Sequence, residues 1–84
     1  MSKRDLAPHD EVKVLLREVG RLQPWLGRIF HRSHRTVKRM VAGQRPEDIA
    51  TILPWLRRYA AAMQTAEDRW LRENPAPPLP GGEA

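Results

Sequence analysis

Seven basic side chains, Arg21, Arg28, Arg32, Arg35, Lys38, Arg39 and Arg45, fall between Glu18 and Glu47 with no carboxylate among them. Of the 15 lysines and arginines these leave eight, set against all 10 aspartates and glutamates, so the formal charge of +5 is +7 in this segment and −2 elsewhere. Clustered cations suit a polyanion. Each phosphate they neutralise releases condensed counterions, an entropic gain that scattered charges do not collect. A solvated helix face is the plainer alternative, but such faces usually interleave both signs. The pattern predicts a nucleic-acid surface.

Other chemistries find fewer residues. Cysteine is absent, which removes disulfides, thiolate zinc sites and cysteine nucleophiles together. His31 and His34 stand one helical turn apart, a spacing that suits metal ligation, yet no carboxylate lies near them in sequence and the third histidine, His9, is distant. No nucleophile motif or glycine-rich phosphate loop is present. The expectation is a protein that is not an enzyme, with no catalytic residues, cofactor, metal or small-molecule substrate.

The elements that must position the cations read as helices. There is one Phe, one Tyr and no Asn-Gly or Asp-Gly hairpin turn, so strand signals are poor. Val12, Leu15, Leu16 and Val19 recur at i, i+3, i+4, i+7, predicting a first helix with Asp10 as N-cap and Gly20 as stop. A short second helix opens at Gln23-Pro24, with Trp25, Leu26, Ile29 and Phe30 inward and Arg28 outward. Ser33 is the predicted cap of a third helix over 34–42, ended by Gly43. Val37, Met40 and Val41 share one side of it, and His34, Arg35, Lys38 and Arg39 the other. Arg45-Pro46-Glu47-Asp48 starts a fourth helix that buries Ile49, Ile52 and Leu53. Pro54 predicts a break or kink before a last helix over 55–73, with Leu56, Tyr59, Ala60, Met63 and Trp70 on its inner face. From Asn74 the run Asn-Pro-Ala-Pro-Pro-Leu-Pro-Gly-Gly-Glu-Ala predicts a disordered tail, because prolines delete amide donors and glycines raise the entropy cost of order. The predicted organisation is all-α: a compact five-helix bundle over 9–73, a flexible arm at 1–8 and a flexible proline-rich tail at 74–84.

Two short helices joined by a tight turn, the second with its charges outward, form an arrangement suited to a major groove. Residues 23–42 resemble the helix-turn-helix of the phage repressor and Cro (lambda-repressor-like) superfamily. Gln23 opens the first helix, Leu26 and Phe30 occupy its core positions, and small Gly27 permits close crossing. Val37 and Met40 fall where that family buries its recognition helix, and Gly43-Gln44-Arg45-Pro46 resembles its Gly-x-x-Pro exit. The architectural likeness extends over about residues 12–63. It departs in the turn, where His31 replaces the usual glycine and Arg32 the usual aliphatic residue. A histidine takes left-handed angles at modest cost. Either the Arg32 stem lies along the core edge while its guanidinium reaches solvent, or the turn is reshaped.

The resemblance implies a sequence-specific regulator of transcription, of repressor type, bacterial or phage-borne, that occupies an operator in double-stranded DNA. It implies base contacts from Ser33, His34, Arg35, Lys38 and Arg39. Arg35 and Arg39 suit guanine best, because a planar guanidinium meets O6 and N7 together. Gln23, Arg28, Arg32, Thr36 and Arg45 would hold phosphates, assisted by amides at the second helix's N-terminus. Gln23 as a plain helix start and His34 as an exposed bystander stay open as alternatives.

A core of this size is marginal, so Trp70 and Leu71 are expected at a homodimer interface, the alternative being that Trp70 folds back on its own domain. Two copies would read inverted half-sites about one helical turn, ~34 Å, apart. A second reading is a protein-interaction module, such as an antitoxin-like adaptor whose cations meet an acidic partner. RNA is a third, opposed by aromatics that fall on apolar stripes. No apolar run approaches the ~20 residues of a bilayer span and no signal segment is recognisable, so a soluble cytoplasmic protein without a membrane partner is expected.

Overall fold

The computed structural model describes residues 5–62 and 66–82, whose regular elements are five helices and no strand. They are α1 (Pro8–Glu18), α2 (Gln23–Phe30), α3 (His34–Val41), α4 (Pro46–Ala61) and α5 (Glu67–Glu73). The all-α, five-helix architecture expected from the periodicity is therefore what the chain forms. Met63, expected on an inner helix face, lies outside the described residues.

Three helices end on a residue in the left-handed region. Gly20 (φ 71°) follows α1, its amide donating to the Arg17 carbonyl (3.1 Å) while the Arg21 amide donates to Leu16 (2.9 Å). Gly43 (φ 88°) closes α3 in the same way, with Gly43 donating to Met40 (3.1 Å) and Gln44 to Arg39 (3.0 Å). These paired bonds satisfy carbonyls that have no partner further along the helix. α2 ends on His31 (φ 57°, ψ 49°), and the Arg32 amide donates back to the Gly27 carbonyl (2.9 Å). The imidazole-bearing residue takes the conformation that glycine usually supplies. At the other end of the chain, α1 starts earlier than predicted: Ala7 is its N-cap, Pro8 its first residue, and Asp10 lies within the first turn, paired with Lys13 (3.1 Å). Pro8 thus belongs to the helix and not to the expected flexible arm.

α1 packs on α3 and α4, and α3 also packs on α2 and α4. The core takes Val12, Leu15 and Leu16 from α1, Leu26 and Phe30 from α2, Val37 and Met40 from α3, and Ile49, Ile52 and Leu56 from α4. The predicted break at Pro54 does not occur, since α4 runs through it to Ala61 and the chain leaves the helix only there. Pro54 deprives the Ala50 carbonyl of its donor, at a cost of about 3 kcal/mol. Both residues are exposed, so the lost bond falls on the solvent side of the helix, while Ile52, Leu53, Trp55 and Leu56 around them are buried. At roughly 1.5–3 kcal/mol per buried side chain, that face outweighs one proline.

The disordered tail is the larger correction, because residues 74–82 pack on the domain. Leu79 is 8% exposed and belongs to the core, Ala76 packs against it, and the Trp55 indole N–H donates to the Asn74 carbonyl (2.9 Å). Prolines restrict the unfolded ensemble as well as the folded one, so ordering this segment costs less than its composition suggested. Trp70 and Leu71, expected at a dimer interface, are half-buried and pack partly on their own core, as the alternative for Trp70 had it: its ring lies 5.6 Å from Trp55 and 5.5 Å from Tyr59.

Two polar links complete the packing. Buried Glu11 of α1 accepts from Arg57 Nε (2.7 Å) and Nη2 (2.8 Å), tying α1 to α4. Glu67 of α5 accepts from Arg21 (2.6 and 2.7 Å) and from the Tyr59 hydroxyl (2.6 Å). Burial first, and the bond to Glu67 second, push the Tyr59 phenol above its ordinary ionisation range. The folded state therefore holds this proton more tightly than the unfolded chain does. The resulting stabilisation is complete below the ordinary tyrosine value, about pH 10, and is lost as pH rises through the folded value. Thermal melts across the alkaline range should show this loss in the parent and not in Tyr59→Phe. Because Tyr59 is the one tyrosine, ultraviolet titration of the native protein reads the same shift directly.

Candidate nucleic-acid interface

α3 is held by its start, its back and its end. Ser33 Oγ accepts the Thr36 amide (3.2 Å) and donates to Thr36 Oγ1 (3.2 Å), the predicted N-cap. Behind the helix, Thr36, Val37 and Met40 have no exposed surface. α2 crosses close by, because a Cβ on Gly27 would sit 2.7 Å from the Arg32 carbonyl oxygen and 3.2 Å from Val37 Cγ2. Any side chain there would push α3 outward.

With its apolar side fixed, α3 turns His34, Arg35 and Lys38 to solvent, with Arg39 half-buried beside them. These four, together with Ala42 and Gln44, line an open groove of about 490 Å³. The first turn of α3 holds no acidic residue, and its last turn holds Lys38 and Arg39. Among the described residues no carboxylate pairs with Arg28, Arg35 or Lys38. Arg28 is exposed on α2, and Gln23 is half-buried at its start.

The expected phosphate group divides. Arg28 and Gln23 keep surface open to solvent, but Thr36 is fully buried and its hydroxyl is engaged with Ser33, so it contacts no ligand. Arg45 is 13% exposed, its Nε against Asp48 Oδ2 (2.6 Å) and its Nη2 donating to the Gly82 carbonyl. Arg32 donates to the carbonyls of Gly81 (2.7 Å) and Leu79 (3.5 Å). Its guanidinium therefore reaches the C-terminal segment, neither of the outcomes expected for it. Of the expected base-reading group, Ser33 is exposed but spends its hydroxyl on the cap.

Sequence reasoning missed Gln44 as a groove residue. The signal available was its place one residue beyond the glycine that reverses α3, which returns the chain toward the helix's charged side. It also missed Asp48, read only as a helix-start charge and found almost wholly buried. No group of three or more His, Asp or Glu side chains that could hold a metal ion occurs among the described residues, and no helix there is long and apolar enough to cross a membrane. Comparison with protein-family models, characterised proteins and solved structures finds no match to this chain.

Proposed function

We propose that this protein binds double-stranded DNA by laying α3 in the major groove, and that it acts in the bacterial cytoplasm as a transcriptional regulator, of repressor type, at an operator. One observation carries the reading. A short helix is buried on one side through Thr36, Val37 and Met40 and offers His34, Arg35 and Lys38 on the other, with no carboxylate paired to Arg35 or Lys38 among the described residues.

A helix about 10–12 Å across fits a groove about 12 Å wide. Arg35 is suited to guanine, and Lys38 and Arg39 to guanine or the groove wall. Gln44, one residue past the reversal, is suited to adenine through its amide. Arg28 and Gln23 hold phosphates of the flanking strand and set register. No cofactor enters the scheme.

Trp70 and Leu71 are half-buried on α5, so they still offer part of their surface to a second copy. Two copies would still bind inverted half-sites about one turn apart. The test is to select bound duplexes from a random pool and challenge each complex with excess unrelated duplex. A consensus that survives the challenge supports the reading, and a palindromic one supports two copies. A complex lost equally to any duplex overturns sequence-specific binding and leaves a general polyanion surface.

A further inference from the structure

Two guanidiniums from opposite ends of α3 converge on adjacent residues of the C-terminal segment. Arg32, in the α2–α3 turn, donates to the Gly81 carbonyl (2.7 Å), and Arg45, beyond α3, donates to the Gly82 carbonyl. Buried Asp48 completes the cradle, its Oδ1 accepting the Gly81 amide (2.9 Å) while its Oδ2 meets Arg45 Nε (2.6 Å). Leu79, in the core, anchors the segment two residues earlier.

The cradle carries two positive charges and one negative, yet its present occupants are neutral peptide groups. A phosphodiester presents two adjacent anionic oxygens, which a pair of guanidiniums holds by charge-assisted bonds stronger than those to carbonyls. The docked segment is held by the burial of Leu79 and by the Gly81 amide bond to Asp48 as well as by the two arginine donors.

We propose that residues 79–82 are a built-in competitor of DNA: docked, they occupy the Arg32 and Arg45 donors, and released, they free those donors for one backbone phosphate beside α3. The inference rests on the DNA-binding reading of that helix. Tail docking and duplex binding are then reciprocally coupled, each weakening the other by the same factor.

Gly81→Ala in the full chain separates the two states. The added Cβ would sit 2.8 and 2.9 Å from the Asp48 carboxylate oxygens and against the Arg45 guanidinium. Asp48 is buried at 1% exposure and has little room to yield, so the segment is expected to give way. Gly82→Ala is the matched control, since nothing lies within 4 Å of its Cβ. Leu79→Asp releases the segment by a different route.

The probe is a short mixed-sequence duplex titrated at several salt concentrations, with solvent exchange of the residue 81 amide reporting release. Gly81→Ala and Leu79→Asp are expected to exchange fast, to bind several-fold more tightly at low salt, and to steepen the log–log salt slope by about 0.9, one phosphate's worth. Gly82→Ala should match the parent. Fast exchange with the parent's salt slope would overturn the proposal while leaving the DNA reading intact. Absence of duplex binding by the parent and all variants would overturn the DNA reading, and the competition with it.

Discussion

Arg35→Glu is expected to abolish discrimination between the selected duplex and a scrambled one while leaving the thermal midpoint nearly unchanged. Arg35 is exposed on α3 and pairs with no carboxylate among the described residues, so the fold should lose no more than about 0.5 kcal/mol. A bidentate arginine–guanine contact is worth about 1–3 kcal/mol of discrimination, which at ~1.4 kcal/mol per decade is roughly 5- to 150-fold. The new carboxylate adds repulsion from guanine acceptors and phosphates, so the loss should exceed that of Arg35→Ala. Arg28→Ala supplies the contrast: it should weaken both duplexes alike and flatten the salt slope by about 0.9. Thr36→Ala supplies another, because a fully buried residue that bonds the cap should change stability before affinity. Titrating both duplexes and melting each variant checks all three. If Arg35→Glu bound the two duplexes as the parent does, α3 would not be reading bases.

What could be read from the residues follows a physical divide. Val37, Met40 and the cap at Ser33 lie within one helix and its cap, where period and hydrogen-bonding type decide the outcome, and they were foreseen in place. The left-handed angles at His31 belong to the same local class. Misses came where partners are distant in the chain. Arg45 looked like a free cation because Gly82 lies 37 residues away, and Arg32 because Gly81 lies 49 away. Thr36 was misjudged by helical phase: it lies one position before Val37, and the buried side of α3 is wide enough to include it. Pro54 and the C-terminal segment share one cause. Local rules count a lost amide or a glycine's entropy, but not the burial that Trp55, Leu56 or Leu79 recovers against other elements. The candidate site survives these corrections because its central residues, His34, Arg35 and Lys38, needed only the phase of one helix.

Trp55→Ala is expected to cost about 3–5 kcal/mol, the most of any single change to this fold. The indole is 1% exposed and sits among Phe30 (5.3 Å, edge-on), Trp70 (5.6 Å), Tyr59 (5.7 Å) and Trp25 (6.3 Å). Its removal opens a cavity facing α2 and α5 at once, and neither can collapse into it while still packing elsewhere. It also orphans the Asn74 carbonyl, the first tether of the C-terminal segment. At ~0.05–0.15 kcal/mol per residue, a chain of 84 residues has roughly 4–13 kcal/mol of total stability, so this loss removes much of the margin. Trp55→Phe keeps most of the apolar contact but not the N–H, and should cost nearer 1 kcal/mol plus the missing ring volume. Denaturant titration distinguishes the two by midpoint, with an unchanged m-value if the unfolded state is the same. The effect should also reach α3. Phe30 ends α2 just before the His31 turn, so loosening its edge-on contact with Trp55 frees the turn that sets where Arg35 and Lys38 point. A loss below about 1 kcal/mol in Trp55→Ala would mean that the aromatic cluster is not what holds α2, α4 and α5 together, and that α3 takes its position from its direct packing on α1, α2 and α4 without it.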